Sequence, residues 1–174
     1  MAVLTIRKYG DPILRRRAAP VEGVTPEVRR MVADMIDTMY DEVGIGLAAP
    51  QVGIPLRIIV VGDDETREAR ALVNPVIAAA GGQVTAEEGC LSIPGIFAPV
   101  SRAAWVTVEA RDIENRPLTI TGQALLARVL QHEIDHLDGV LFIDRLEPVA
   151  RDRIKRKIKK EGLAEDARHH AFAL

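Results

Sequence analysis

Apolar residues recur at helical spacing in two widely separated stretches and at strand-like spacing between them. Val28, Met31, Val32, Met35, Ile36 and Met39 make the first stripe. Thr25 offers an N-cap and Pro26 the first helical position, so a helix is predicted from there to about Asp41, its methionines reading as core. Leu125, Leu126, Val129, Leu130, Ile134 and Leu137 make the second stripe, with Thr121 as the expected N-cap and Gly139 at a left-handed end. Between them, Leu56–Val61 is β-rich and predicts a buried strand, whereas Leu72–Ala80 contains Pro75, which cannot donate to a ladder, and predicts an edge strand. Gly81-Gly82 turns the chain into a strand that begins over 83–86. Trp105–Ala110 alternates Val106 and Val108 to one side, and Glu114-Asn115-Arg116-Pro117 leads on to a last strand at Leu118–Thr121. Val3–Arg17 reads as an extended arm with Arg15, Arg16 and Arg17 solvated, and Asp63–Arg70 as a charged surface loop. The pattern predicts one α+β domain over 1–174. Short antiparallel or mixed strands pack around the 121–139 helix, with an N-terminal and a C-terminal helix and a mobile tail over 163–174.

Composition narrows the class. At 174 residues the chain can bury about two-thirds of its unfolded surface or more, so it needs no staples. Lys and Arg number 23 against 25 Asp and Glu, a net charge of −2, which argues against DNA or an anionic membrane as a partner of the whole surface. The N-terminus carries no signal-peptide pattern and no apolar run approaches membrane-spanning length, so a cytoplasmic protein is expected. Cys90 is the single cysteine. It cannot make an internal disulfide, which suits a reducing compartment and leaves the thiol as core filler or as chemistry.

The chemistry concentrates in Gln131-His132-Glu133-Ile134-Asp135-His136-Leu137-Asp138-Gly139. Histidines four apart share one helical face and can reach one cation, with Glu133 beside the first as a base. A catalytic site of this kind needs a further protein ligand and an open position. The motif continues as in one metalloprotease class through Gly139 but has Phe142 where that class has a third histidine, which disfavours it. Asp144 and Glu147 follow the helix so closely that the chain would have to turn back at once, and Cys90 remains as the upstream candidate. Small residues from Gly44 to Gly53 suit a tight loop or a close backbone approach, with the Gln51 amide among them.

Gly44-Ile45-Gly46-Leu47-Ala48-Ala49-Pro50-Gln51, Glu88-Gly89-Cys90-Leu91-Ser92 and Gln131–Leu137 together resemble, in order and interval, the three motifs of the peptide deformylases. The likeness spans residues 1 to about 160, with Phe97 and Arg128 as departures that bear only on outer substrate contacts. The resemblance implies a metal-dependent hydrolase that removes the N-formyl group from the formyl-methionine of newly made polypeptides, releasing formate. It implies one divalent ion on Cys90, His132 and His136 with water at the fourth position, natively Fe(II), with Zn(II), Ni(II) or Co(II) as substitutes. Glu133 is then the residue that moves a proton from water to the departing nitrogen, and the Gln51 amide and Leu91 N–H are donors to the oxyanion. Gly44, Ile45, Gly46, Gly89, Leu125 and Val129 are the implied substrate-binding residues, Gly44 and Gly46 admitting an added strand and Ile45, Leu125 and Val129 lining a pocket for methionine. Glu88 and Asp135 are candidates to orient the ligands, Asp135 equally a solvated helix residue.

Residues 151–160 hold seven basic side chains in ten, with Ile154 and Ile158 one turn apart. They read as a surface-packed helix or, through the resemblance, as a contact with ribosomal RNA. Two other functions share the same motif: a metallopeptidase acting on unformylated peptides, and a binding module whose structural metal site would present four protein ligands.

Overall fold

The computed structural model describes residues 2–63, 66 and 68–164. Helix α1 spans Pro26–Asp41, and the Thr25 hydroxyl accepts from the Val28 N–H at its start. Seven strands follow: β1 (Gly46–Ala48), β2 (Ile58–Gly62), β3 (Ala69–Gly81), β4 (Val84–Cys90), β5 (Ile93–Arg102), β6 (Trp105–Arg111) and β7 (Pro117–Gln123). Helix α2 covers Ala124–Leu137 and α3 covers Pro148–Glu161. The large sheet has the order β1-β2-β3-β6-β7 and is antiparallel throughout, while β4 and β5 form a separate hairpin.

The unbroken apolar run of β2 reflects cover on both faces. Ile58 and Val60 join Met35 and Met39 of α1, and Ile59 and Val61 join Leu130 and Ile134 of α2. With successive strand residues pointing to opposite faces, α1 and α2 sandwich the large sheet between them. A third cluster ties the β4–β5 hairpin to the rest, through Leu14 of the arm, Ile93, Val100, Phe142 and Ile143, and Ile154 and Ile158 of α3 pack against it. The arm is held by its backbone: the Arg7 and Tyr9 N–H groups donate to the Gln51 and Ser92 carbonyls.

Four expectations need correction. β3 is the central strand of the large sheet, not an edge; Pro75 is tolerated because β2 pairs only as far as Val73 and the β3–β6 register breaks between Val73 and Val76. Thr121 does not cap α2. It stays in β7, its hydroxyl 3.0 Å from that of Thr107 across the ladder, and Gln123 occupies the cap position. Arg15 is not simply solvated, since its guanidinium pairs with Asp144 and donates to the Gly139 carbonyl. The charged loop ends earlier than expected, because β3 begins at Ala69. Of the tail, Leu163 packs on the third cluster and Ala164 lies against Gly95; residues 165–174 lie outside the described residues.

Candidate metal centre

Two structural repeats meet at the site. On a helix, four residues advance about 6 Å; on a strand, two residues advance about 6.6 Å. His132 and His136 are four apart on α2, and Glu88 and Cys90 two apart on β4, so the two pairs meet rung to rung. Nδ1 of His132 lies 2.9 Å from Oε1 of Glu88, and Nε2 of His136 lies 3.4 Å from Sγ of Cys90. One ligand atom from each of Cys90, His132 and His136 lies within 4.8 Å of the others, and all three residues are buried. Among the described residues this is the one Cys, His and carboxylate group with that geometry.

The upstream thiol is therefore the third member of the set. Asp144 is held by Arg15 and by the Leu141 N–H, and Glu147 is exposed at the start of α3. Phe142, standing where a third histidine might have been, stacks beside the His132 ring at a centroid distance of 6.2 Å.

The donor set fits a cation. Nε2 of His132 and both Glu133 oxygens are buried with no hydrogen-bond partner, an arrangement that costs free energy unless something charged or polar completes it. Burial, and the coulombic effect of Glu133, push the Cys90 thiol up to about 12. Burial lowers both histidines, with His132 adding to the effect on His136, so their rings are neutral and suited to ligation. Burial, then Glu88, raises Glu133 well above the usual carboxylate range. Glu88 goes the other way: although burial would raise it, hydrogen bonds from His132 and Arg102 hold it at about 2. An ionised Glu88 makes Nδ1 of His132 the protonated nitrogen and leaves Nε2 free to bind a metal.

The other expected residues sort themselves around this centre. Gln51 is fully buried; its carbonyl oxygen accepts from the Ala48 N–H at 2.9 Å, which turns its amide nitrogen toward Ser92 Oγ at 3.1 Å and Cys90 Sγ at 3.6 Å. Leu91 is buried in the turn after Cys90. Gly46 lies in β1 against Glu133, where an added Cβ would sit 2.5 Å from Oε2. Gly44 packs on the Leu91 side chain and Gly89 under the Phe97 ring. Ile45, Leu125 and Val129 line a cleft of about 570 Å³ together with Val61 and Ile120.

Several members were not visible in the sequence. Arg102 forks onto Glu88 and reaches Asp135 at 3.0 Å, and Arg145 pairs with Asp135 at 2.7 Å. Asp135 is thus a buried member of the network, not a solvated helix residue. Arg128, expected among the outer substrate contacts, is buried and points to Glu88. The only available signal was indirect: a carboxylate beside Cys90 on a buried strand face requires a cation partner somewhere.

Two imidazoles and a cysteine thiol that could hold a metal ion, set around a buried carboxylate on a His-Glu-x-x-His helix, belong to the class of metal-dependent hydrolases. The polypeptide deformylase family model matches residues 3–152. A peptide deformylase of Syntrophobacter fumaroxidans is 49% identical over 164 residues, covering 92% of this chain and 96% of the relative, and one of Neisseria gonorrhoeae is 47% identical, covering 92% and 96%. The crystal structure of a Legionella pneumophila peptide deformylase superposes with a TM-score of 0.85 at 46% identity, over 91% of this chain and 95% of that one. That of the Ehrlichia chaffeensis peptide deformylase in complex with actinonin has a TM-score of 0.86 at 38% identity, over 92% and 99%. The chain belongs to the peptide deformylase family, a metal-dependent family of enzymes.

Proposed function

We propose that this chain, as a single catalytic domain, removes the N-formyl group from formyl-methionine at the start of newly made polypeptides, with Cys90, His132 and His136 holding one divalent ion. The observation that carries this reading is the convergence of those three ligand atoms beside a buried, unpartnered Glu133. When bound, the ion supplies a Lewis acid that lowers the pKa of a water molecule toward neutrality. Glu133 takes the proton of the attacking water and delivers it to the departing nitrogen, a task that its raised proton affinity suits. The Gln51 amide nitrogen, aimed by its bond from Ala48, and the Leu91 N–H are the donors that meet the developing oxyanion. β1 is an outer strand of the large sheet, so a substrate backbone can add alongside it and place its first side chain in the cleft of Ile45, Leu125 and Val129. Gly46 serves this site by giving room to Glu133, and Gly44 and Gly89 by giving room to Leu91 and Phe97.

A thiolate with two imidazoles suits Fe(II) as the native ion and Zn(II), Ni(II) or Co(II) as substitutes. Anaerobic purification followed by metal analysis tests this. A ferrous ion beside a thiolate also leads us to expect loss of activity over hours in air.

Among the described residues no helix is long and apolar enough to cross a membrane, and we place the chain in the cytoplasm, where its substrates emerge. Helix α3 buries no residue completely and turns Arg153, Lys155, Arg156, Lys157, Lys159 and Lys160 outward, the surface we assign to ribosomal RNA.

The decisive assay compares formyl-Met-Ala-Ser with Met-Ala-Ser. Release of formate from the first and no cleavage of the second is expected; cleavage of the unformylated peptide would indicate a metallopeptidase. Glu133→Gln should keep the metal and lose at least about a hundredfold in formate release.

A further inference from the structure

Glu88 is fully buried and its carboxylate meets four donors. Oε1 accepts from Nη2 of Arg102 at 2.9 Å and from Nδ1 of His132 at 2.9 Å. Oε2 accepts from Nε of Arg102 and from Nη1 of Arg128, each at 2.5 Å. An ionised carboxylate offers about four lone-pair sites, so the set is complete and Arg128 closes it. Arg128 stands four residues before His132 on α2, on the same helical face. Its guanidinium is itself clamped, Nη1 donating also to the Val100 carbonyl at 2.9 Å and Nη2 to the Val84 carbonyl at 2.8 Å. It therefore joins β4, β5 and α2 at the point where the carboxylate meets the histidine. Arg128 also lines a mostly apolar cleft of about 370 Å³ with Ala86, Ala104 and Leu125.

We propose that Arg128 is a positioning residue of the metal centre: it holds Oε2 of Glu88 so that Oε1 stays on Nδ1 of His132 and Nε2 of that ring stays aimed at the cation. The inference rests on the metal-hydrolase reading and adds to it a residue outside the three motifs. Without the guanidinium, Oε2 keeps only the Arg102 Nε donor, the carboxylate is held by the Arg102 fork from one side alone, and the hydrogen bond that fixes the imidazole loosens.

The test uses the zinc-loaded full-length chain with R128M, which keeps the apolar stem, and R128K, which keeps the charge and one donor. Chelator competition should show zinc affinity down about tenfold to a hundredfold in R128M, with part of the loss recovered in R128K. The Nδ1–H proton resonance of His132 should shift or broaden in R128M, and kcat for formate release should fall with KM unchanged. A residue that merely packs would lower the melting temperature and leave both zinc affinity and the resonance at wild-type values, which overturns the proposal. Should R128M fail to fold, R128K decides alone: a change in either readout supports the proposal, and none overturns it. Wild-type protein that binds zinc yet releases no formate would sink the deformylase reading while leaving the Arg128 comparison standing.

Discussion

Single atoms decide the chemistry at Gly46 and Glu88. A Cβ on Gly46 would lie 2.5 Å from Oε2 of Glu133 and 2.8 Å from the Val129 side chain, both held by α2. Gly46→Ala should therefore displace the base and cut formate release at least about tenfold, as a 1 Å misplacement can cost more than that. Metal content measured on the same preparation should be unchanged, since the three atoms nearest that Cβ belong to Glu133 and Val129 and none to a candidate ligand. Glu88 can be read through acid stability. Its folded pKa of about 2 lies below the ordinary 4.5, so it adds stability that is present above pH 4.5 and lost as the pH falls toward 2. The contribution is about 3 kcal/mol. Urea midpoints of wild type and Glu88→Gln should differ most at pH 6 and converge near pH 2. None of this was legible from residue types alone, because a buried carboxylate and a solvated one look alike in a sequence until their partners are placed.

At the scale of elements, the periodic stretches were readable and their ends less so. α1 begins and ends as Thr25-Pro26 and the last methionine predict, because its cap and its apolar face are both local. The N-terminal start of α2 lies two residues later than the Thr121 cap predicts, since Thr121 is as good a strand residue as a cap and the cross-strand contact with Thr107 settles its place. Its C-terminal end was well marked: Gly139 has φ +74°, and the Arg15 carbonyl of the arm lies 2.5 Å from where a Cβ would be. α3 separates packing from charge, because Ile154 and Ile158 face the third cluster while the basic residues face out. Reversing charge at Arg153, Arg156, Lys157 and Lys160 should leave the melting temperature near that of wild type. Cosedimentation with ribosomes should weaken and lose most of its salt dependence. Binding that survives the four reversals unchanged would remove α3 from the proposal.

For the molecule as a whole, the metal couples folding to proton release. In the metal-free chain, burial and then the coulombic effect of Glu133 push the Cys90 thiol up to about 12, while burial lowers both histidines below their ordinary value. A cation therefore favours loss of the Cys90 proton, and the histidines bind as neutral rings. Calorimetric titration with zinc in two buffers of different ionisation enthalpy should therefore show release of at least one proton, and affinity that rises with pH. Because the site joins α2 to the β4–β5 hairpin, stripping the ion should lower the melting temperature. At a thousandfold excess over Kd the metal adds about 4 kcal/mol. For a domain of this size that corresponds to a drop of about 8–16 °C on chelation.

By itself the sequence determined the three helices, five of the seven strands (β1 and β5 carried no strand signal), the candidate ligands and, through three motifs in register, the family they resemble. Each of these depends on neighbours within a few residues or on residue types that have few other uses. The tertiary structure alone decided that β3 is central despite Pro75, that Asp135 and Arg128 are buried, and that Arg102 and Arg145 complete a charge network behind the histidines. Those facts come from contacts between residues far apart along the chain. An isolated arginine carries no local pattern that names its partner.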